Sequence, residues 1–258
     1  MANIEILSDD DPADFSEIWY DIADDDHFWI RWRFAVLLDE IRRLGIDTSA
    51  PAAALEIGCG HGAMLRKLSM HTAWHIDGCD LNKTALSLSS VHNGRILFYN
   101  IYDRNEELCD KYNHLILFDV IEHIEDTKEF ISSALYHLKP GGYIFVNVPA
   151  LQILYSRYDV AVGHYRRYNR ALLRHQLMTA GLEICTMRYW GITLMPIAIM
   201  RKFYLNSIRN HNEIARVGFQ PPGPLSACLL SALETVEHAI FKYQPIGTSL
   251  LAIARKRC

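Results

Sequence analysis

Apolar residues along the chain alternate between short continuous runs and longer stretches with helical spacing. The short runs predict seven strands, at 53–57, 74–79, 95–99, 114–118, 143–148, 182–189 and 247–254. The helical spacing predicts helices at 13–44, 62–70, 83–92, 127–138 and 170–180. The run at 114–118 is almost wholly apolar, as expected of a strand that is buried on both faces.

The order of these elements predicts a doubly wound α/β fold. Strands that alternate with helices at these lengths form right-handed βαβ units and therefore a parallel sheet. The last strand follows a mostly helical stretch at 191–244. We therefore expect an N-terminal helical part at 1–50, a core at 51–190, and a helical insertion with a final strand at 191–258.

Composition and charge restrict the classes of function. The formal net charge is −4 and the pI is about 6.3, so the chain lacks the basic surplus that is usual for a nucleic-acid-binding protein. The six cysteines are scattered without a CxxC pair, which predicts a reducing, cytoplasmic compartment. The acidic first eleven residues do not resemble a signal peptide. No apolar stretch reaches the roughly 18 residues that span a bilayer.

A glycine-rich segment follows the first predicted strand. Gly58, Gly60 and Gly62 alternate directly after Glu56 and Ile57. Glycine allows a ligand to approach the backbone closely, and ligands of open α/β sheets bind at the carboxyl ends of the strands. Asp80 ends the next strand, where a carboxylate can accept hydrogen bonds from both ribose hydroxyls.

The spacing in this loop distinguishes between two kinds of nucleoside cofactor. A nicotinamide dinucleotide site has the pattern G-x-G-x-x-G, whereas this loop has G-x-G-x-G after an acidic residue, Glu56. A carboxylate disfavours a phosphate cradle but attracts a sulfonium and an ammonium group in a partly dehydrated cleft. The residues therefore favour a cofactor that carries positive charge.

Together these motifs resemble the class I S-adenosylmethionine-dependent methyltransferase family, in particular its small-molecule branch related to ubiquinone-biosynthesis O-methyltransferases. The resemblance covers about 50–190 and rests on 55–62, Asp80, 118–123 and 139–142. It implies a Rossmann-like, seven-stranded, mostly parallel sheet with an antiparallel closing strand, and a helical lid over the cofactor. The cofactor would be S-adenosylmethionine and the product S-adenosylhomocysteine. The implied cofactor-binding residues are Glu56, Gly58, Cys59, Gly60, Gly62, Asp80, Leu81, Asn100, Ile101, Phe118 and Asp119.

Candidate catalytic residues lie in two clusters near the predicted strand ends. Transfer to a hydroxyl requires alignment of the acceptor, exclusion of water and removal of a proton, and His164 and His123 are the candidate bases. Asp119, Glu122 and His123 are also similar to an acidic–histidine cluster with which some relatives hold a divalent metal, a role suited to Mg²⁺. In the simplest alternative, Glu122 and His123 only open the next helix, and we assign no metal ligand.

Acceptor contacts are predicted at Trp29, Tyr165, Arg166 and Tyr168. The predicted function is methyl transfer to a small molecule, favouring a hydroxyl of a secondary metabolite or of a saccharide-related or lipid-linked compound. Alternatives are N-methylation, a nicotinamide oxidoreductase, and a non-catalytic cofactor-binding module. The insertion would complete the acceptor pocket, mediate dimerisation or contact a membrane peripherally, and the oligomeric state is not assigned.

Overall fold

The computed structural model describes residues 3–10, 27–89, 93–208, 213–214, 217, 223–240 and 243–258. One sheet contains the strands β1 (Ile4–Ile6), β2 (Ala53–Ile57), β3 (His75–Asp80), β4 (Ile96–Phe98), β5 (Tyr112–Phe118), β6 (Leu138–Pro149), β7 (Leu182–Trp190) and β8 (Ser249–Lys256). The helices of the described residues include α1 (Phe28–Arg43), α2 (Ala63–His71), α3 (Lys83–Leu88), α4 (Thr127–Tyr136), α5 (Arg157–Ala161), α6 (Arg170–Thr179), α7 (Met195–Ser207) and α8 (Pro224–Ile240). Short 3-10 turns lie at Ile101–Asp103, Glu106–Leu108, Ile121–His123, Gln152–Leu154 and Ile192–Leu194.

The sheet confirms the predicted doubly wound α/β class. Its strand order is β1-β4-β3-β2-β5-β6-β8-β7. Every pairing from β1 to β6 is parallel, and β8 runs antiparallel to both β6 and β7. The predicted strand count of seven was wrong, because the sheet has an eighth strand, β1, at its edge beside β4. Three residues are too few to give a periodic signal.

Several predicted boundaries shift in the structure. Helix α1 begins at Phe28, where the His27 side chain caps the Trp29 amide, and the predicted helical part at 13–26 lies outside the described residues. Helix α3 ends at Leu88 rather than at 92, and 90–92 also lie outside the described residues. Helix α4 ends at Tyr136 and β6 begins at Leu138, so 139–142 extend the strand instead of separating it from the helix.

Both faces of the sheet are buried, as the apolar strands require. One face carries Leu55 and Leu115 against α4 and α6, and the opposite face carries the neighbouring Ala54 and Ile116 against α1 and α2. On that second face Trp32 of α1 is completely buried, so α1 is a core helix. None of the described helices combines the length and the apolar character needed to cross a bilayer.

Candidate functional site

The glycine loop folds back onto the end of β3. The amides of Gly58 and Cys59 donate to Cys79 O at 2.8 and 3.0 Å. A Cβ on Gly58 would lie 2.6 Å from Val120 Cγ2. The three alternating glycines all have left-handed backbone angles, with φ of +74° at Gly58, +53° at Gly60 and +81° at Gly62. Because side chains disfavour these angles, the G-x-G-x-G spacing follows from the path of the backbone at the carboxyl edge of the sheet.

Asp80 connects this loop to the end of β3. Its Oδ2 accepts the Gly60 amide and its Oδ1 accepts the Asn82 amide, both at 2.8 Å. Burial raises the pKa of Asp80, and the amide hydrogen bonds oppose that shift. A carboxylate oxygen can accept more than one hydrogen bond, so both oxygens retain capacity for ribose hydroxyls. Leu81, the next residue, packs against the apolar cluster that contains Phe118.

Glu56 lies on β2 immediately before the loop and is only 4% exposed. Its Oε2 has no hydrogen-bond partner among the described residues. Burial raises the pKa of Glu56 to about 8, while the nearby Arg33 guanidinium opposes the shift. A buried carboxyl oxygen without a partner carries a desolvation cost. It would be relieved by a donor such as an ammonium group, so this residue fits the amino acid part of the implied cofactor.

Asp119 follows β5 with a left-handed φ of +57°. Arg33 of α1 forms an ion pair with its carboxylate, and Asn147 Nδ2 donates to Asp119 Oδ1 at 2.9 Å. The same guanidinium lies 5.1 Å from the centre of the Phe118 ring. Arg33 therefore adds a positive charge to the predicted cofactor edge. No local pattern in the sequence indicates this pairing, because Asp119 is 86 positions further along the chain.

Two of the implied cofactor-binding residues, Asn100 and Ile101, make contacts within the protein. Asn100 Oδ1 accepts the Tyr102 amide at 3.1 Å, and Asn100 Nδ2 donates to Asp10. Ile101 is buried in the apolar core. Asn100 thus caps the 3-10 turn at Ile101–Asp103 and keeps one oxygen lone pair, while Ile101 contributes mainly to packing.

His164 is held by a buried ionic network around Asp159 of α5. Its Nδ1 lies 3.0 Å from Asp159 Oδ1, and Arg167 Nε donates to the same oxygen at 2.7 Å. Asp159 is completely buried, and burial alone would raise its pKa. The hydrogen bond from His164 and the positive charge of Arg167 outweigh that effect and lower the pKa of Asp159 to about 2. An ionised carboxylate only accepts hydrogen bonds, so His164 Nδ1 carries the proton. The other ring nitrogen, Nε2, is then the basic one.

Glu122 and His123 lie against this imidazole. The His123 and His164 rings are 4.6 Å apart in an edge-on arrangement, and burial together with His164 lowers the pKa of His123 to about 3. Glu122 is completely buried, and neither carboxyl oxygen has a hydrogen-bond partner in the described part of the chain. Burial, and secondly Asp119, raises the pKa of Glu122 well above its usual range.

The same cluster has the donor set of a small cation site. One ligand atom each from Glu122, His123 and His164 lies within 4.8 Å of the others. Asp119, which the resemblance placed in such a cluster, is instead paired with Arg33. Two imidazoles and one carboxylate suit a transition-metal ion better than Mg²⁺, which prefers oxygen ligands. The donor set therefore does not suit Mg²⁺, which was one alternative for these residues.

The four predicted acceptor contacts have different surroundings. The Trp29 ring packs 4.6 Å from Trp190, and Tyr165 is 55% exposed. Arg166 donates to the Glu125 carbonyl at 2.9 Å. Tyr168 is completely buried and its hydroxyl donates to Ile121 O at 3.1 Å, so in this structure it supports the turn at Ile121–His123 from inside.

Comparison with known proteins places this geometry in a family. A family described as "Methyltransferase domain" matches residues 29–186. A ubiquinone biosynthesis O-methyltransferase of Marinobacter nauticus is 28% identical over 36% of this chain and 42% of its own length. The corresponding protein of Chromobacterium violaceum is 24% identical over 56% of this chain and 63% of its own length. The chain thus covers less than two thirds of these relatives.

Solved structures share the fold at low sequence identity. A putative sarcosine dimethylglycine methyltransferase from Galdieria sulphuraria has a TM-score of 0.59 and 13% identity, covering 87% of this chain and 85% of its own. Phosphoethanolamine N-methyltransferase 2 of Haemonchus contortus, in complex with S-adenosyl-L-methionine, has a TM-score of 0.54 and 15% identity, covering 86% and 52%. The [4+2]-cyclase SpnF has a TM-score of 0.58 and 14% identity, covering 91% and 85%. These similarities concern the fold, and the family match covers more than half of the chain. The chain belongs to the class I S-adenosylmethionine-dependent methyltransferase family.

Proposed function

We propose that this protein transfers a methyl group from S-adenosylmethionine to a hydroxyl oxygen of a small molecule, with His164 as the general base. The observation that carries the proposal is the Asp159–His164 pair, which leaves the basic imidazole nitrogen beside Glu122 and His123. The acceptor class is a secondary metabolite or a saccharide-related compound. The curated relatives named as O-methyltransferases support oxygen as the acceptor atom.

The cofactor half of the site is formed by the ends of β2, β3 and β5. Asp80 would accept the ribose hydroxyls while it keeps the Gly60 amide in place. Glu56, with its buried oxygen that has no partner, would accept the ammonium group of the methionine part. Leu81 offers an apolar surface for the adenine beside the end of β3.

Arg33 completes the electrostatics of this half. The methionine part of the cofactor also bears a carboxylate, which needs a positively charged partner. The Arg33 guanidinium is mostly buried, is oriented by Asp119 and acts on the charge of Glu56. We therefore assign it to the cofactor carboxylate, with Asp119 as the residue that positions it.

The acceptor half performs proton transfer and exclusion of water. When bound, the cofactor supplies an electrophilic methyl group, whose C–S bond breaks as the acceptor oxygen attacks, leaving neutral S-adenosylhomocysteine. His164 Nε2 takes the hydroxyl proton, and Asp159 stabilises the imidazolium that forms. The largely buried His123, whose lowered pKa keeps it neutral, adds no competing positive charge next to that imidazolium. Tyr165, which is exposed, and Arg166 lie on the same loop and would contact the acceptor.

The proposal is tested in two steps with the whole 258-residue chain. Calorimetric titration should show binding of S-adenosylmethionine and none of NAD; binding of NAD alone would overturn the proposal. Methyl-labelled S-adenosylmethionine is then incubated with panels of hydroxylated metabolites, saccharides and primary amines. Label transferred to oxygen in a hydroxylated compound supports the proposal, whereas label found only on amine nitrogen contradicts O-methylation.

A further inference from the structure

Two arginines line a groove at the edge of the sheet. Strand β7 is the edge strand on that side. Helix α6 packs against it, and the segment 243–245 is joined to its end by an antiparallel bridge between Tyr189 and Gln244. The groove between α6 and this segment has a volume of about 420 Å³, which is in the range of small-molecule sites. We call it the α6 groove, and its lining residues are Arg170, Arg174, Met187, Tyr243, Gln244 and Pro245.

Arg170 is oriented in the groove by groups that carry no net charge. Its Nη2 donates to Gln244 O at 3.2 Å, and its guanidinium carbon lies 4.8 Å from the centre of the Tyr189 ring. Its Nε is buried and has no hydrogen-bond partner among the described residues. A buried donor without a partner carries a desolvation cost. An anion beside the guanidinium would remove that cost and balance its charge.

Arg174 lies one turn further along α6, on the same side of the helix as Arg170. Like charges at positions i and i+4 destabilise a helix, and Arg170 also occupies the first position of α6, where the helix dipole disfavours a cation. Arg174 is exposed, and within the described part of the chain no residue forms a hydrogen bond or an ion pair with its side chain. An anion held by both arginines would offset these repulsions.

The acidic residues of the adjoining segments do not line the groove. These residues are Glu183 on β7 and Glu234 and Glu237 on α8. Leu182 belongs to the apolar cluster on the α6 face of the sheet, so the alternation of side chains along β7 directs Glu183 to the opposite face. Glu237 is buried and accepts two backbone amides of the turn after β7. The lining of the α6 groove therefore has two positive charges and no negative one.

We propose that the α6 groove binds a small molecule that carries a phosphate monoester. Guanidinium groups match the oxygens of phosphate and of carboxylate. A phosphate monoester bears about −1.5 to −2 charges at neutral pH, which balances two arginines, whereas a carboxylate bears only one. The groove is larger than a phosphate ion, and Met187, Tyr243 and Pro245 offer apolar surface to the organic part of the ligand.

The α6 groove is separate from the proposed methyl-transfer site. Strands β6 and β8 lie between β7 and β5, and neighbouring strands are about 4.8 Å apart. Strand β7 is thus about 14 Å from β5, whose end carries Asp119 and the cofactor half of the site. Binding in the groove therefore does not depend on the proposed reaction.

The experiment is calorimetric titration of the whole 258-residue chain with phenyl phosphate, inorganic phosphate and benzoate. We expect phenyl phosphate to bind most tightly and benzoate at least about tenfold more weakly, because benzoate has one charge. Arg174→Gln should weaken phenyl phosphate binding by at least about tenfold. The matched control is Arg104→Gln, which changes an exposed arginine after the turn that follows β4, in the other half of the sheet. It should bind like the unaltered protein.

Three results would overturn the proposal: no binding of phenyl phosphate by the unaltered protein, equal binding by Arg174→Gln, or benzoate binding as tight as that of phenyl phosphate. Arg166→Gln is a further comparison, because binding lost in this variant and retained in Arg174→Gln would assign the phosphate to the acceptor half of the methyl-transfer site instead. Urea denaturation of Arg174→Gln should give the midpoint of the unaltered protein, since the side chain is exposed. The titrations contain no S-adenosylmethionine, so their outcome is distinguishable from failure of the proposed methyl transfer.

Discussion

Asp159 Oδ1 lies 3.0 Å from His164 Nδ1, and this contact determines which nitrogen of the imidazole is basic. The carboxylate is completely buried, is shared with Arg167 and remains ionised because its pKa is lowered to about 2. A carboxylate that orients a histidine in this way fixes its tautomer and stabilises the protonated ring. The pair therefore gives His164 the tautomer that its proposed role as general base requires.

Removal of the imidazole should stop chemistry and leave the cofactor bound. We expect His164→Ala to lower kcat by about 10²- to 10⁴-fold, the usual contribution of a positioned base, with an unchanged Kd for S-adenosylmethionine. Steady-state kinetics and calorimetry measure the two quantities. The control is His175→Ala, which removes an exposed histidine on α6. Normal turnover in His164→Ala would exclude His164 from the reaction.

Loss of the Asp80 carboxylate should weaken the cofactor complex. Asp80→Ala removes the acceptor of two ribose hydroxyls as well as the partner of the Gly60 amide. At about 1–3 kcal/mol for each charge-assisted hydrogen bond, the Kd for S-adenosylmethionine should rise by at least about 30-fold. Asp103→Ala, an exposed aspartate in the turn after β4, is the control. An unaltered Kd in Asp80→Ala would show that ribose binds elsewhere.

We expect the ionised form of Glu56 to lower the stability of the cofactor-free protein. Its folded-state pKa of about 8 exceeds its ordinary value of 4.5. The stability of the cofactor-free protein should therefore be full below pH 4.5 and should decrease as pH rises through 8. Because Glu56→Gln cannot ionise, it should exceed the unaltered protein in free energy of unfolding at pH 8.5, by on the order of 4 kcal/mol, as measured by urea denaturation.

The same substitution should alter proton release on binding. At pH 7 an ammonium group beside Glu56 would favour the carboxylate, so the unaltered protein should release a proton when S-adenosylmethionine binds. Glu56→Gln should bind more weakly and release none. Calorimetric titrations in buffers of different ionisation enthalpy measure the protons released, and identical release by both proteins would contradict the assignment of Glu56 to the ammonium group.

A buried histidine should make the fold sensitive to mild acid. His114 packs 4.2 Å from the Trp74 ring, and burial lowers its pKa from 6.5 to about 4. The unfolded chain therefore takes up a proton first, and stability should fall as pH drops from 6.5 to 4. His114→Phe should be more stable than the unaltered protein by about 2 kcal/mol at pH 5 and similar at pH 7.5. Urea denaturation at both pH values tests this, with the exposed His175→Phe as control.

The sequence predicted the parts of the site that are encoded locally. The alternating glycines and Asp80 lie on one strand–turn–helix unit and the end of the next strand, and the structure joins them through the bond from the Gly60 amide. The strands that carry them were predicted for the same reason, since continuous apolar runs mark a doubly buried sheet. The antiparallel strand β8 was predicted from the resemblance, and the sheet confirms it.

The features that were missed depend on distant contacts or on short elements. Arg33 stands in an amphipathic helix like many surface arginines, and its role emerges only from the fold that brings Asp119 to it. Strand β1 has only three residues, and it is a strand because it pairs with β4. The burial of Tyr168 was equally unforeseen, because its neighbours in sequence are two arginines and an asparagine. Asp159 stands only five positions before His164, which is a local signal in the sequence. Its significance follows only from the burial of Asp159 beside the imidazole.

The position of β8 between β6 and β7 has a consequence for synthesis on the ribosome. Strand β7 joins the sheet only through β8, which is translated roughly 60 residues later. Strand β8 also begins about 100 residues after β6 ends, so at about 5–20 residues per second β6 waits for about 5–20 s with an open, apolar edge. An unpaired edge of this kind recruits strands from other chains. The nascent protein therefore passes through an interval of raised aggregation hazard, which ends when β8 pairs with β6.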